Sequence, residues 1–266
     1  MEKLVHILKK LFWPVGSQSL KKKTSQRSTS KKRFPKKGTG NRKRKLPVLS
    51  QVFAKAENNP ILSPCPENEW EAWQTFNPGA VFLDGKVHFL YRAIGEDGTS
   101  RFGYAASADG FILDERLPYP VYEHQTTERV FNVFSYFSGG SWGGAEDPRI
   151  VAMHDDGMLY MTYTACDRGE LRVALTAISI EDFLNKKWKW REPILLSPPG
   201  EVHKNWILFP EKIDGSYAIL HSIKPDIQIE YIGANRAEKY SEELYDREPE
   251  YLKKFRNGVF EICQKE

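Results

Sequence analysis

The sequence predicts an all-β protein, a meander of short hairpins grouped like propeller blades. Three observations lead there. Short alternating apolar runs recur from about residue 60, at 80–83, 87–94, 102–107, 150–153, 158–164, 171–178 and 216–222. Asp-Gly pairs punctuate them at Asp84-Gly85, Asp97-Gly98, Asp109-Gly110, Asp156-Gly157 and Asp214-Gly215. Such a pair between alternating runs signals a tight hairpin, whose central residues adopt positive φ. Little helical periodicity intervenes. Hairpins that follow one another without crossover helices form a meander, and aromatic-rich meanders are the units of propellers. No tight internal repeat is visible in the side chains.

The flanks of this region differ from it. Residues 1–46 hold 16 Lys/Arg and one acid, whereas residues 47–266 hold 23 bases and 34 acids. The formal net charge of +4 therefore sums a basic tail and an acidic body. Leu4, Val5, Ile7, Leu8, Leu11, Phe12 and Trp13 recur at helical spacing, but Pro14 and Gly16 cut that helix short. Lys9 and Lys10 interrupt what would be the apolar core of a signal peptide. A short amphipathic helix on an anionic membrane is one reading of this end; a disordered tail is the reading preferred, because short isolated helices are marginal. Residues 17–46 are Lys/Arg, Ser, Thr and Gly-rich, with Phe34 the single aromatic, so nonspecific polyanion contact is the most they support. No specific nucleic-acid partner is expected, and no apolar run approaches the ~20 residues of a membrane span. Residues 234–266 are rich in Glu, Lys, Tyr and Arg and read as charged helix or irregular tail. The predicted organisation is thus a tail at 1–46, a partial propeller at 47–233 and a second tail at 234–266.

The body is aromatic, with seven Trp in the chain, which excludes wholesale disorder. Its three cysteines, Cys65, Cys166 and Cys263, form no CxxC pair, so neither a zinc site nor a disulfide framework is expected. They read as ordinary thiols of a reducing compartment, hence a cytoplasmic protein.

Candidate chemistry concentrates in a few strings. Gly143-Gly144-Ala145-Glu146-Asp147-Pro148-Arg149 joins two carboxylates to Pro-Arg. Proline lacks the N–H a strand interior needs, so this string is expected in a loop at a strand mouth, where function concentrates. Phe76-Asn77-Pro78-Gly79 is a second stiff turn entering a strand. Leu90-Tyr91-Arg92-Ala93 buries a charge that needs a partner or a ligand. Val202-His203-Lys204-Asn205-Trp206 leads into another apolar run.

These strings resemble glycoside hydrolase family 130, the β-mannoside phosphorylases and related β-mannosidases. The resemblance rests on FNPGAV (76–81), LYRA (90–93), GGAEDPRI (143–150), YMTYTA (160–165), HKNWILFPEK (203–212) and YAILHSIKPDIQIEYI (217–232), in order. It implies a five-bladed β-propeller with the site at its central channel, and an inverting reaction. Asp147 would be the general acid, acting through the mannose 3-hydroxyl while inorganic phosphate attacks the anomeric carbon. Asn77 and Arg92 would meet sugar hydroxyls, and Glu146 and Arg149 would orient Asp147 or touch the sugar. Lys204, with His203 beside it, would hold phosphate, with Arg168 or Arg172 as the second cation. The substrate implied is a β-mannoside or mannooligosaccharide, with no metal and no organic cofactor.

The residue types suit that chemistry. Inverting hydrolysis needs two carboxylates, one to activate water. Phosphate is already anionic, so one acid suffices if cations hold the nucleophile. Structural alternatives remain for several residues. Arg92 could form a buried ion pair, Lys204 a solvated contact, His203 a structural bond, and Glu211 with Lys212 a pair. Trp73, Trp142 and Trp206 could stack on sugar or fill core. The resemblance stops near Ile232, and the 34 residues that follow are too few for two further four-stranded blades. A truncated arc of about three blades is the expectation. Its uncovered strand edges would invite a partner, such as a second copy.

Overall fold

The computed structural model describes residues 57–132, 140–221 and 228–232. The predicted tails at 1–46 and 234–266 lie outside these residues. Eleven strands appear among them: β1 (Gln74–Leu83), β2 (Lys86–Ile94), β3 (Thr99–Ser107), β4 (Glu115–Arg116), β5 (Gly143–Met153), β6 (Met158–Asp167), β7 (Glu170–Ser179), β8 (Ile194–Leu195), β9 (Ile207–Leu208), β10 (Tyr217–His221) and β11 (Gln228–Ile232). One five-residue helix, α1 (Ile180–Leu184), follows β7, its first turn capped by the Ser179 side chain, which accepts from the Asp182 N–H at 3.0 Å. The all-β prediction holds. The described strands form three meanders and no closed ring.

Tight turns make the hairpins. β1 turns into β2 through Asp84-Gly85, and β6 into β7 through Arg168-Gly169, with both residues of each pair at positive φ. The first two units join edge to edge. Ser100 and Thr99 at the start of β3 pair in parallel with Gly144 and Gly143 at the start of β5, so β1-β2-β3-β5-β6-β7-β8 runs as one path, with β4 on β3. β9, β10 and β11 make a separate sheet.

A repeat with little trace in the side chains is plain in the register. In β1–β2, Phe76 faces Arg92, the register slips, and Gly79 faces Leu90. In β5–β6, Glu146 faces Thr164, the register slips, and Arg149 faces Thr162. Both slips enclose an Asx-Pro pair whose first residue is left-handed, Asn77 (φ 44°) and Asp147 (φ 54°). The third unit places Asn205 (φ 63°) two residues before Ile207, which faces Leu220. A left-handed Asx therefore recurs at the first strand of each described unit, and the Asx-Pro bulge in the first two.

Burial explains the order of the units. β6 is buried along nearly its whole length, as expected of a strand covered on both faces. Its side chains alternate. Leu159, Met161, Tyr163 and Ala165 pack with Leu90, Phe102 and Tyr104 of the first unit. Met158 and Tyr160 pack with Trp206, Leu208 and Ile219 of the third. Each such aliphatic or aromatic side chain contributes roughly 1.5–3 kcal/mol on burial.

Candidate active site

The GGAEDPR string does not lie in a loop, contrary to the sequence expectation; it lies within β5. The premise about proline was sound, because the ladder does break there. A bulge absorbs the break without ending the strand. The bulge turns Asp147 into the left-handed region, where Asn and Asp are the least disfavoured side-chain-bearing residues. The first bulge packs directly on the second: a Cβ at Gly79 would lie 2.8 Å from the Pro148 carbonyl oxygen. Only glycine lets the two Asx residues come together. Asn77 Nδ2 donates to Asp147 Oδ1 at 2.9 Å.

Arg92 enters from β2 as the buried hub. Its Nη1 donates to Asp147 Oδ1 at 3.2 Å, and its Nη2 to Glu146 Oε1 at 2.9 Å. Its Nε donates to Ser100 Oγ at 2.7 Å, and the guanidinium lies 4.7 Å from the centre of the Phe76 ring. The partner that a charge in this apolar strand demanded is thus a pair of adjacent carboxylates. Arg92 and Glu146 are fully buried, and Asp147 is 6 % exposed. Glu146 Oε2 accepts from Lys204 Nζ at 2.8 Å, and Oε1 also takes the Ser141 hydroxyl. Both oxygens of Glu146 are thereby occupied. The bonds Asp147 accepts fall on Oδ1; among the described residues nothing bonds to Oδ2. The arrangement holds one carboxylate as an anchor and presents one oxygen of the other.

The remaining predicted residues divide into two places. Arg149 Nη2 donates to Asn205 Oδ1 at 3.1 Å, tying β5 to the left-handed residue of the third unit. His203 bonds Glu201 at 2.9 Å and lies edge-on to Trp206, 5.6 Å between rings. Arg168 and Arg172 share a cavity of about 290 Å³ with His124, Thr127, Asp167 and Glu170. Arg168 occupies the hairpin turn and donates from Nε to Thr127 Oγ1 at 2.8 Å. Arg172 is half-buried and donates from Nε to the Ser197 carbonyl at 3.0 Å; burial lowers its pKa. His124 accepts or donates at Tyr163 Oη, 2.9 Å away, and burial holds its pKa below the ordinary imidazole value. Glu211 and Lys212 do not form the suggested pair as a described contact: Lys212 bonds Asp156 at 2.6 Å. Trp206 is core, whereas Trp73 and Trp142 are exposed.

Sequence reasoning missed Ser100 and Ser141, and noted Asn205 without assigning it a role. Asn205 carried a signal, an Asx within three residues of an apolar run, as at Asn77 and Asp147. The two serines carried none. Among the described residues no group of His, Cys, Asp or Glu could hold a metal ion, and no helix is long and apolar enough to cross a membrane.

Comparison with known proteins bears on this geometry. A family profile described as beta-1,4-mannooligosaccharide phosphorylase, that of glycoside hydrolase family 130, matches residues 41–244. A 1,2-beta-oligomannan phosphorylase of Thermoanaerobacter sp. (strain X514) is 36 % identical over 182 residues, 65 % of this chain and 54 % of that protein. A beta-1,2-mannobiose phosphorylase of the same organism is 32 % identical over 191 residues, 66 % of this chain and 56 % of its own length. The chain spans about half the length of the curated relatives it matches. A crystal structure of a glycosyl hydrolase from Bacteroides ovatus shares the fold, with TM-score 0.50 at 23 % identity over 66 % of this chain and 60 % of that one.

Proposed function

The chain belongs to glycoside hydrolase family 130, and from that premise we propose that it cleaves β-mannosides with inorganic phosphate, inverting the anomeric centre to give α-mannose 1-phosphate. The observation that carries this reading is the asymmetric Asp147 carboxylate. Oδ1 is clamped by Asn77 and Arg92, which leaves Oδ2 to give up a proton. That proton passes through the sugar 3-hydroxyl to the glycosidic oxygen. The C1–O bond breaks as a phosphate oxygen bonds C1 from the opposite face, and the acceptor sugar leaves with the proton.

Hydrolysis by the same chain would need a second carboxylate to activate water. The adjacent candidate, Glu146, is fully buried with both oxygens bonded, which favours phosphate over water as nucleophile. Lys204, with His203 beside it, is the proposed phosphate contact at the site's rim, and the Arg168–Arg172 cavity supplies the second cation. Asn77, Arg92 and Arg149 are assigned to the mannose. The three units are proposed as blades of the family's five-bladed propeller, the reaction as cofactor-free, and the location as cytoplasmic. A second copy is a proposed partner.

The test is sugar release from β-1,2- and β-1,4-mannobiose with and without phosphate, with the product read by ³¹P NMR. Release that requires phosphate and yields the α-1-phosphate is expected. Full turnover in phosphate-free buffer would overturn phosphorolysis in favour of a β-mannosidase.

A further inference from the structure

Trp142 is the residue before β5, at the end of the strand that carries Asp147. Its side chain is 48 % exposed, yet it is held in place. Its backbone N–H donates to the Gly98 carbonyl at 2.9 Å. The indole lies on the Gly98 turn so closely that a Cβ there would sit 2.7 Å from ring Cδ1. The Phe131 ring, 54 % exposed, meets it edge-on with centroids 6.0 Å apart. One side of the indole is thus pinned and another is wet. Leaving a fixed indole in water forgoes hydrophobic stabilisation of about 25 cal/mol per Å², with no fold requirement in view.

The surroundings are polar. Asp97, in the same turn as Gly98, bonds Arg101 at 2.8 and 3.0 Å and contacts Arg129 at 3.4 Å. An aromatic pair rimmed by an ionic cluster suits a ligand with one apolar face and a ring of hydroxyls, which is a pyranose. A protein-docking patch would call for contiguous apolar surface instead. Asp147 lies five residue steps along the strand from Trp142, about 16 Å at the usual rise of ~3.3 Å per residue. That is farther than one sugar ring reaches.

We propose that Trp142 and Phe131 form a platform for the distal acceptor-side sugars of a β-linked oligosaccharide whose scissile bond lies at Asp147. This rests on the proposed phosphorylase reading and extends it to substrate length.

The test compares mannobiose with mannotetraose, in both linkages, using the full chain and its Trp142→Ala, Trp142→Phe and Phe131→Ala variants. Two readouts are taken: phosphorolysis, and binding to the Asp147→Asn form by calorimetry. The tetraose-to-biose ratio of kcat/KM is expected to fall about tenfold in Trp142→Ala and to recover in Trp142→Phe, with tetraose binding weakened in parallel. An unchanged ratio with intact turnover overturns the platform and leaves the phosphorylase reading standing. Trp142-dependent tetraose binding without turnover upholds the platform and sinks that reading. Absence of tetraose binding to the Asp147→Asn form overturns the platform outright. Circular dichroism of each variant separates these results from misfolding.

Discussion

The first strands of the first two units begin alike and end in different chemistry. Each has a bulge, an Asx-Pro pair, and a left-handed Asx, and the two bulges touch. In β1 the residue is Asn77, which can donate; in β5 it is Asp147, which can accept and, when protonated, give up a proton. Opposite the slips stand Arg92 in one unit and Thr164 in the other. The backbone device is therefore generic. Function comes from which unit received the carboxylate and which the cation. Left-handed backbone at a non-glycine residue costs on the order of 1–3 kcal/mol, and such strain clusters at sites that use it.

Making the two units identical at this position breaks the comparison most severely. Asp147→Asn puts an amide on both bulges and removes the acid. Phosphate-dependent sugar release should drop by about 10²–10⁴-fold, the usual contribution of a general acid. The Asn variant keeps size and backbone preference, so a thermal midpoint within a few degrees of the parent should accompany the loss. Surviving cleavage would mean that Asp147 is not the acid.

The cross-strand partners come next. Arg92→Met leaves Glu146 and Asp147 buried without their shared cation, and breaking a buried ion pair costs about 3–5 kcal/mol. Urea unfolding should register that as a lowered midpoint. At the matching position Thr164 Oγ1 is buried with no hydrogen-bond partner among the described residues. Thr164→Val should then be neutral or stabilising by up to about 1 kcal/mol, because an unsatisfied hydroxyl costs that order to bury. Equal losses for the two variants would deny the asymmetry.

Converting the buttress into a second acid sharpens the contrast. Asn77→Asp keeps a residue that tolerates positive φ, and sets two carboxylates within hydrogen-bond reach. Like charges raise one pKa of such a pair. A general acid fails when it deprotonates, so the alkaline limb of the kcat/KM profile should move up by about one pH unit. A limb that stays in place would show that Asn77 does not govern Asp147.

How much of this was legible follows the same division. The hairpins were legible in part: Asp84-Gly85 and Asp214-Gly215 have the positive φ such pairs announce, Asp97, Asp109 and Asp156 do not, and the β6–β7 turn uses Arg168-Gly169. Arg92 was legible as a charge in an apolar strand, though its Glu146–Asp147 partners lie 54 and 55 residues away. The bulge at Asp147 was misread as a loop, since proline announces a broken ladder but not whether the strand resumes. The repeat was hidden because register is a property of paired backbones. Arg92 matches Thr164 and His88 matches Tyr160, so the Asx-Pro pairs, Asn77-Pro78 and Asp147-Pro148, are the main side-chain trace of it.

That last pair gives the smallest prediction. His88 faces Val81 in the first unit, where Tyr160 faces Val151 in the second. His88 is buried, 2.8 Å from Tyr104 Oη at Nδ1 and 3.1 Å from the Leu83 carbonyl at Nε2. A carbonyl can only accept, so Nε2 carries a proton; burial disfavours a second one, and in the neutral ring Nδ1 accepts from the tyrosine. Burial lowers its pKa below the ordinary 6.5. The unfolded chain then binds the proton first as pH falls. The stability this neutral histidine contributes is fully present above about pH 6.5 and is lost progressively below it. Buried His124 acts with the same sign. Urea midpoints should fall between pH 7 and pH 5. His88→Gln, which keeps a donor and an acceptor but no titrating nitrogen, should shrink that slope to the part His124 supplies. Tyr160, at the matching position, carries no imidazole, so the acid sensitivity that a histidine brings to this pair of positions belongs to the first unit alone.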